Sequence, residues 1–530
     1  MSVILRQSTD LPVLTGNWSW VAITGTDIDL DPTRKLADLG ERLETAFDSV
    51  RDDWWSLGYR LGQTPSARLA HMPTAASYNC DFGLMMAWIR LIAAVVATPR
   101  RILVVCDDPW VFRQLASLDG IEAGKPPTLF FRSLKAWIRG WLARGRLSFH
   151  VICAHLRLRP TKENAAQGGT TLLVYGHPGS DAKGKDAYFG TLMADMPRLR
   201  RLIHTDADVG LTINLAQDGR TAGLHAWGSL FFTPRLVFQR WLPSPGELDG
   251  PYTWILRRAV ILENATAAPA ANRWQMHCQE RWLESQRPDM VIWPWENHPW
   301  ERAMCRSAKH YGVTTRGYQH AVIGPQQFNP GPASNPDGLG SIPDRIICSG
   351  PAYRDQLLSW GIPAERLRIG GAFRISRFEG NYYDPCGPVF VATSSFRSIT
   401  EQMLRAVNKA RKPGRKFIIK IHPLYPLDIE ETEDIRLTQY TIPEQQGISA
   451  VFYGTGTSGL EGLLAGVPTF RFRPDDRVAI NVLPEGVTAY PVELNSLDEA
   501  LDQAERPLPL DWSEIYAAVQ PTVWQDELKT

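Results

Sequence analysis

At 530 residues, the chain is too long for one ordinary hydrophobic core, so two or three domains are expected. Its formal net charge of +1 provides no overall attraction for nucleic acid, which is not expected as a partner. The seven cysteines are scattered and include no CxxC pair, which indicates reduced thiols rather than a disulfide framework or a zinc site.

No secretory or membrane-spanning segment is predicted. The first residues lack the basic and then apolar pattern of a signal peptide. The longest apolar run, residues 84–97, is short for a membrane span and contains Arg90. Together with the reduced cysteines, these features predict a cytoplasmic protein.

The predicted secondary structure alternates between strands and helices along much of the chain. A short β-branched run, a loop with Gly, Pro or Asp, and a helical sequence follow one another at residues 101–109, 170–180 and 289–312. From residue 340 the alternation is denser, with strands predicted at 344–350, 366–372, 388–395, 416–423, 449–456 and 467–472. This pattern indicates parallel sheets and the α/β fold class.

The domain boundaries are predicted from composition. The stretch 324–343 is rich in Pro, Gly and Asn and is interpreted as the hinge between two halves. We therefore expect an N-terminal domain over 1–335, with an added subregion over 1–165, and a C-terminal domain of the Rossmann type over 340–510. The remaining segment, 511–530, is expected to form a helix that packs back on the N-terminal domain.

One basic stretch, residues 130–160, contains seven Lys or Arg residues and no acid. Its apolar residues recur at helical spacing, and they include Leu134, Trp137, Ile138, Trp141 and Leu142. Basic amphipathic helices that carry aromatic residues bind anionic membrane surfaces. The stretch therefore predicts a peripheral contact with the inner membrane, and the alternative is a helix packed on the core with a solvated basic face.

The segment WPWENHPWERA, residues 293–303, contains the first candidate for a catalytic carboxylate. Glu296 directly follows a predicted strand and lies among aromatic residues that would raise its pKa by desolvation. In the alternative interpretation, Glu296 or Glu301 pairs with Arg302 or caps the helix that begins at His298. Asp186 is the second choice, and the third is the pair Asp107 and Asp108, which also fits a helix cap.

Other residues near these strands are expected to lie close to Glu296. Trp293, Trp295 and Trp300 are its aromatic neighbours, with Asn297 beside them. Tyr318, Gln319 and His320 follow another strand and are predicted to lie in the same region, although His320 also fits a core histidine. The acids are not spaced as a DxD pair, so neither a metal nor a cofactor is expected.

Three predicted strand ends in the second half carry hydroxyl, imidazole and cationic groups. They provide Ser394 and Ser395 in TSSFRS, Lys420, His422 and Pro423 in KIHP, and Thr457, Ser458 and Glu461 in GTGTSGLEGLLAGVP. Ligands of doubly wound sheets bind beyond the carboxyl ends of the strands. These loops therefore predict a nucleotide phosphate site, although no Walker or GxGxxG pattern is present. The alternatives are a structural His422 and a capping box from Ser458 to Glu461.

The motifs KIHP and GTGTSGLEGLLAGVP resemble the "HP" and "Ser/Thr" motifs of bacterial GT-B glycosyltransferases that use CMP-linked ulosonic acids. This family includes capsule polysialyltransferases, sialyltransferases and Kdo transferases. In addition, ENHPWERA, RGYQHAVIG, PDRIICSGP and RIGGAFRIS together resemble proteins of bacterial surface-carbohydrate biosynthesis. The resemblance covers roughly residues 170–475, and residues 1–165 resemble no family.

The resemblance implies two Rossmann-type domains that face a cleft. It implies that the acceptor binds in this cleft, which would be lined by Trp295, Asn297, Trp300, Tyr318, Gln319 and His320. Trp293, Trp295 and Trp300 would stack on sugar faces. It also implies transfer of Kdo or a nonulosonate from a CMP-activated donor to a glycan or lipid-linked glycan acceptor, in lipopolysaccharide O-antigen or capsule synthesis. His422 would contact the donor phosphate, and Thr457 and Ser458 would complete its cradle.

Further residues receive roles from the same resemblance. The loops at Ser349–Gly350 and Ser394–Ser395 would face the nucleotide, and Glu461 would reach its ribose or base. Glu296 would be the base of an inverting reaction, whereas Glu296 or Asp186 would be the nucleophile of a retaining one. Two alternatives stay open, a CDP-polyol phosphotransferase of the teichoic-acid type and a non-catalytic subunit that binds glycans.

Overall fold

The computed structural model describes residues 3–23, 28–375, 377–423, 425–445 and 447–529. In these residues the strands form three sheets, and every pairing between them is parallel. The strands are short and largely apolar, as expected where helices cover both faces of a parallel sheet. The predicted α/β class is confirmed.

The first sheet is built by the first 123 residues and has the strand order β2-β3-β1-β4. Its strands are β1 Val3–Arg6, β2 Trp18–Ile23, β3 Arg101–Cys106 and β4 Ile121–Ala123. The helices of this region are α1 Leu39–Asp48, α2 Arg51–Leu61, α3 Phe82–Val96, α4 Pro109–Ala116 and the long α5 Phe130–Leu158. The subregion expected within 1–165 therefore contains a parallel sheet of its own, in addition to the two Rossmann-type sheets, and its own helices.

The second sheet has seven strands in the order β11-β10-β9-β8-β5-β6-β7. The strands are β5 Thr170–Val174, β6 Arg200–Ile203, β7 Thr221–Gly223, β8 Met290–Pro294, β9 Thr314–Gln319, β10 Arg345–Cys348 and β11 Leu367–Ile369. The helices are α6 Leu192–Asp195, α7 Val209–Leu215, α8 Thr233–Leu236, α9 Thr253–Asn264, α10 Ala268–Gln286, α11 Pro299–Tyr311 and α12 Pro351–Ser359. One continuous hydrophobic core joins this sheet to the first, so the two form a single N-terminal body.

The third sheet has six strands in the order β14-β13-β12-β15-β16-β17. The strands are β12 Val389–Ala392, β13 Phe417–Lys420, β14 Ile435–Leu437, β15 Ala450–Tyr453, β16 Thr469–Phe472 and β17 Tyr490–Val492. The helices are α13 Arg397–Lys409, α14 Ser458–Leu464 and α15 Leu497–Asp502. This sheet has its own core and forms the C-terminal domain.

The structure corrects the domain boundary predicted near residues 335–340. Strands β10 and β11 extend the second sheet through β9, so the N-terminal body continues past residue 369. The predicted hinge, 324–343, is instead packed inside that body, where Trp55 donates its indole N–H to the Phe328 carbonyl at 2.9 Å and Ser334 is fully buried. A segment rich in Pro and Gly can be buried when its neighbours satisfy its backbone groups.

After the C-terminal domain the chain returns to the second sheet. The final helices, α16 Trp512–Ile515 and α17 Pro521–Glu527, pack there, and Trp524 donates its indole N–H to the Gly370 carbonyl at 2.9 Å. Where the chain leaves and re-enters the N-terminal body, the two passages are hydrogen-bonded, from Ala372 N–H to the Ala517 carbonyl at 2.9 Å. In the part of the chain described, no helix is both long and apolar enough to cross a membrane.

Candidate functional site

The connections of the C-terminal sheet place three of the predicted loops together. The chain runs outward from β12 through β13 and β14, then returns to place β15 on the other side of β12. At such a switch point the loops that follow the two strands diverge and leave a crevice. Here Ser394 Oγ lies 2.9 Å from Thr455 Oγ1, and the His422 backbone N–H donates to Thr393 Oγ1 at 2.8 Å.

The second sheet has a switch point of the same kind between β5 and β8. Glu296 lies two residues beyond the end of β8, so it stands at this switch point. A cleft of about 350 Å³ lies between Glu296 and the β12 loop of the C-terminal domain. Its walls include Tyr78, Asn79, Trp295, Glu296, His298, Gln327, Asn329, Ser395, Phe396 and Tyr425. The prediction of two Rossmann-type domains that face a cleft is confirmed.

The Glu296 carboxylate forms a pair with His298. The His298 Nε2 atom lies 2.7 Å from Glu296 Oε2, and the Glu296 side chain is 36% exposed, so a ligand in the cleft can reach it. Burial alone would raise the pKa of Glu296, but the hydrogen bond and positive charge of His298 oppose burial and lower the pKa to about 2. The carboxyl group is therefore ionised at neutral pH.

The pKa of His298 shifts in the opposite direction. Burial alone would lower it, but the hydrogen bond and charge of Glu296 raise it above the ordinary value of 6.5. Because the two groups are so closely coupled, they titrate as a pair. His320 lies on the far side of the carboxylate at 3.8 Å, and burial lowers its pKa to about 4, which keeps it neutral.

Two polar atoms in the cleft wall lack partners within the described residues. They are the indole Nε1 of Trp295 and the Nδ1 of His298, and both are buried. Buried polar groups in proteins are nearly always hydrogen-bonded, so an unpartnered pair beside a cleft is typical of a site that binds a ligand or ordered water.

Glu301 orients the loop that carries Glu296. Its Oε2 accepts hydrogen bonds from the Glu296 and Asn297 backbone N–H groups, both at 2.9 Å, and from the Trp293 indole N–H at 3.1 Å. Asn297 adopts φ of +60°, a left-handed conformation that Asn tolerates better than most residues. The conformation of this loop is thus fixed by the buried Glu301 side chain in the first turn of α11.

The alternative pairing with Arg302 is not observed. The Arg302 guanidinium instead donates to the Asn297 carbonyl and side chain and to Ser334. Asn297, predicted to line the cleft, is fully buried by these contacts.

Cationic side chains lie near Glu461 on the C-terminal side of the site. Burial raises the pKa of Glu461, and the charges of Lys420 and Arg374 oppose that rise. The charge of Arg374 also lowers the pKa of Glu296, so this cation influences both carboxylates. Arg374 is exposed and belongs to the RIGGAFRIS motif, but no local signal in that motif marked it as a site residue.

The helix that begins at Ser458 does not form the capping box that was the alternative interpretation of this loop. Thr457 is the residue that precedes the helix, and neither it nor Ser458 makes a capping hydrogen bond in the described structure. Thr457 Oγ1 instead donates to Glu461 Oε1 at 3.3 Å, which holds the carboxylate near the strand-end loops. Pro423 follows His422 at the end of β13, and burial lowers the pKa of the His422 imidazole.

Several predicted site residues lie elsewhere. Ser349 follows β10 in the second sheet, where its backbone N–H and hydroxyl both donate to Gln319 Oε1, so Ser349 and Gln319 are buried partners. Gly350 is covered by the C-terminal segment, since a Cβ there would lie 2.1 Å from the Ile515 carbonyl. The expectation that Ser349 and Gly350 face the nucleotide is wrong, because a strand's sequence does not reveal which sheet it joins.

The second-choice acid, Asp186, and Asp108 of the third-choice pair also lie away from the cleft. Asp186 is fully buried, accepts hydrogen bonds from the Tyr188 and Phe189 backbone N–H groups, and lies 3.5 Å from Arg201. Asp108 caps α4 and pairs with Arg258 at 2.7 Å. Neither acid reaches the cleft, and both stabilise local structure.

The predicted aromatic platform is also corrected. Trp293, Trp300 and Tyr318 are core residues, and only an edge of the buried Trp295 borders the cleft. The aromatic rings that line it are Tyr78, Phe396 and Tyr425, of which Tyr78 and Phe396 are nearly parallel with centroids 6.2 Å apart. Tyr78 lies in the first 165 residues, where no local motif identified it.

Comparison with known proteins adds fold similarity alone. No protein-family model matches the sequence, and no curated protein matches it. Similar solved structures include MurG from Acinetobacter baumannii, with 11% identity, a TM-score of 0.36, and coverage of 68% of this chain and 99% of that chain.

Two further similar structures are UDP-N-acetylglucosamine 2-epimerases. The one from Methanocaldococcus jannaschii has 11% identity, a TM-score of 0.36, and coverage of 68% of this chain and 100% of its own. The one from Neisseria meningitidis, bound to UDP-GlcNAc, has 13% identity, a TM-score of 0.34, and coverage of 57% of this chain and 82% of its own. Similarity of this degree carries no argument about substrate or reaction.

Proposed function

We propose that this protein is a glycosyltransferase that moves a sugar from a nucleotide-activated donor to an acceptor hydroxyl in the cleft. The observation that carries the proposal is the position of Glu296. An ionised, partly exposed carboxylate at the switch point of one sheet faces the strand-end loops at the switch point of the other. One cleft thus brings a proton acceptor opposite the loop that follows β12, and the neighbouring strand-end loops of that sheet carry further hydroxyl and cationic side chains.

In the proposed reaction an acceptor hydroxyl attacks the anomeric carbon of the donor. The new glycosidic C–O bond forms as the bond from the anomeric carbon to the phosphate oxygen breaks, and the nucleotide leaves with both electrons. Glu296 takes the hydroxyl proton while neutral His298 donates its Nε2–H to the other carboxylate oxygen. Glu301 acts as a positioning residue, because it fixes the backbone of the Glu296 loop.

The donor is proposed to be a CMP-linked ulosonic acid, either Kdo or a nonulosonate. Such a donor carries two separate anionic groups, the phosphodiester and the sugar carboxylate. The site offers two separate cations near Glu461, Lys420 and Arg374, and Arg side chains bind carboxylates in a bidentate manner. The resemblance of KIHP and GTGTSGLEGLLAGVP to the CMP-ulosonate family supports the same choice, with His422, Thr457 and Ser458 at the phosphate.

The acceptor is proposed to be a glycan or lipid-linked glycan of a bacterial surface polysaccharide. Tyr78, Phe396 and Tyr425 present apolar ring surface to the cleft, and Asn79 and Gln327 present amide groups. Aromatic faces with a few polar groups suit the two faces of a sugar ring. This part of the proposal rests on these residues and on the sequence resemblance.

Release of CMP tests the proposal directly. The protein is incubated with CMP-Kdo, CMP-sialic acid, CDP-glycerol or UDP-GlcNAc and a glycan acceptor, and nucleotide release is measured. We expect turnover with a CMP-sugar, loss of at least 100-fold in Glu296→Gln, and unchanged CMP binding in that variant. Glu365→Gln, which removes an exposed carboxylate elsewhere, is the matched control.

The other outcomes separate the alternatives. Turnover with CDP-glycerol and with no CMP-sugar would replace the proposed donor by a CDP-polyol. Thermal stabilisation by glycans, without stabilisation by any nucleotide, would establish a glycan-binding subunit and refute the enzyme. Near-normal turnover in Glu296→Gln would remove that residue from the mechanism.

A further inference from the structure

Helix α5 is divided lengthwise into three faces. It spans 29 residues, about 43 Å at 1.5 Å per residue, and one face packs on the N-terminal body through Gly140, Arg144, Val151 and Leu158. At Gly140 the packing is closest, since a Cβ there would lie 2.0 Å from the Asn264 carbonyl. The other two faces are directed away from the body.

The second face is an apolar strip exposed to solvent. Its members recur three, four or seven residues apart, which places them on one side of a helix. They are Phe131, Leu134, Ile138, Leu142, Phe149 and Leu156. Phe131 is 72% exposed and Phe149 is 70% exposed. A row of large exposed apolar side chains is unusual on a soluble surface and marks an interaction site.

The third face is a basic strip that borders the apolar strip. It consists of exposed cationic residues at the same helical spacing, Arg132, Lys135, Arg139, Arg146 and Arg157. None of these five forms an ion pair with the described residues. The chain contains no Asp or Glu between Glu122 and Glu163, so this positive charge is not neutralised along the helix.

The segment around α8 widens the same surface. Phe238 contacts Trp141 of α5, with ring centroids 5.4 Å apart, and Phe231 is 94% exposed. The segment between Asp218 and Glu247 contains no acid, but it contains Arg235 and Arg240. The apolar and basic character therefore extends beyond one helix.

We propose that this surface docks the protein on an anionic lipid bilayer, with α5 lying parallel to the membrane plane. The apolar strip would enter the boundary between headgroups and acyl chains, and the basic strip would contact anionic headgroups beside it. Long Lys and Arg side chains suit this edge position because their stems cover apolar surface while their charges stay hydrated. The combination of apolar side chains and uncompensated positive charge is what selects a bilayer as the occupant.

A second copy of the chain fits the surface less well. Face-to-face pairing of two α5 helices would bring basic strips together without an intervening acid, and like charges at an interface are repulsive. A nucleic acid would use the basic strip and leave the apolar strip exposed. The docking proposal does not depend on the proposed reaction, because it requires neither donor nor acceptor.

Vesicle flotation tests the docking. Full-length protein is mixed with vesicles of phosphatidylcholine alone or of phosphatidylcholine with 30% phosphatidylglycerol, a composition chosen for the test at about one anionic lipid in three. We expect flotation with the anionic vesicles and little with the neutral ones. Raising the salt concentration should weaken binding, since the basic strip acts by charge.

Two paired variants separate the strips. Phe131→Ser with Ile138→Ser should reduce partitioning at least 10-fold, and Arg139→Gln with Arg146→Gln should reduce it roughly 10- to 30-fold. The controls remove exposed groups elsewhere, Tyr440→Ser with Leu508→Ser for the apolar strip and Lys183→Gln with Arg405→Gln for the basic strip. All four positions of the test variants are exposed, so folding should be retained.

Three results would overturn the proposal. These are no flotation with either vesicle, equal loss in the test and control variants, and vesicle binding that does not depend on anionic lipid. A concentration-dependent dimer that is abolished by the Phe131→Ser and Ile138→Ser pair would assign the surface to a second copy instead.

Discussion

Replacement of Glu301 gives a test of the site that needs no knowledge of the substrate. The side chain is fully buried, and a single oxygen accepts three N–H groups, one from the Trp293 indole and two from the backbone at Glu296 and Asn297. Glu301→Ala removes the shared acceptor and leaves all three buried donors without it. Glu301→Gln keeps an oxygen in nearly the same place.

The magnitude follows from the cost of buried donors without acceptors. Each one costs about 1–3 kcal/mol, so three independent donors would cost about 3–9 kcal/mol. Because water entering the vacated space will satisfy some of them, we expect Glu301→Ala to lose about 4 kcal/mol of unfolding free energy. Glu301→Gln should lose only about 1 kcal/mol, since it keeps an acceptor oxygen for the three N–H groups.

Urea denaturation and amide hydrogen exchange measure the two effects. Denaturation gives the loss of stability, and exchange at the Glu296 and Asn297 amides reports whether those N–H groups have lost their acceptor. Glu284→Ala, at an exposed position of α10, is the matched control and should change stability by less than about 0.5 kcal/mol. The reasoning is refuted if Ala and Gln destabilise equally, or if exchange at the two amides is unchanged in Glu301→Ala.

Three further outcomes are expected. The rate of CMP release should fall as the pH drops through the pKa of His298, which is raised above 6.5. The reason is that protonated His298 makes Glu296 a weaker base. A flat pH–rate profile from 5.5 to 9 would contradict this. Arg374→Gln should raise the KM for the donor roughly 10- to 100-fold with little change in kcat. The control, Arg377→Gln at a neighbouring exposed position, should leave the KM unchanged. Equal effects of the two substitutions would exclude a specific role of Arg374 in donor binding. Glu44→Ala should destabilise the protein by about 3–5 kcal/mol in thermal or urea unfolding, because Arg471 and Arg473 lose their buried partner. The exposed carboxylate of Glu41 is 3.7 Å from Arg473, so the control Glu41→Ala should have almost no effect on stability.

The fold class was accessible from the sequence because parallel strands buried on both faces read as short apolar runs. The runs at 101–106, 170–174, 389–392 and 450–453 all became strands near their predicted positions. Each is followed by Gly, Asp or a hydroxyl residue, and that polar end is what places functional groups at the edge of a sheet. Local pattern was sufficient here because strand, loop and helix are each decided within about ten residues.

The assignment of strands to sheets was not accessible in this way. Strand β10 is largely apolar like β12, but it lies between β9 and β11 in the second sheet, and the choice of sheet is made by packing between residues far apart in sequence. The same limitation produced the wrong boundary near residue 335. Composition rich in Pro and Gly reports backbone conformation, and it does not report that Asn335 is buried beside Asn297.

Only part of the candidate site could be predicted, because most of its residues come together through contacts between distant segments of the chain. Glu296 was selected because it directly follows a strand, which is a local signal. Tyr78 and Arg374 come from segments before and after that strand, and only the tertiary fold brings them towards it. The other candidate acids could not be excluded as catalytic groups before their burial was known. Asp186 is excluded because Arg201 and two backbone N–H groups enclose its carboxylate.

The paired passages at Ala372 and Ala517 determine how the two halves of the cleft can move. Because the chain passes between the two domains twice at one place, an opening of the cleft would be expected to pivot there. Away from this crossing, Glu44 pairs with Arg471 and Arg473, Lys35 pairs with Asp475, and Ile480, Val482 and Leu483 pack in the N-terminal core. Admission of a bulky acceptor would therefore have to separate ion pairs and apolar contacts together. Ion pairs weaken as ionic strength rises, so we expect added salt to make this opening easier, even where the acceptor carries no charge.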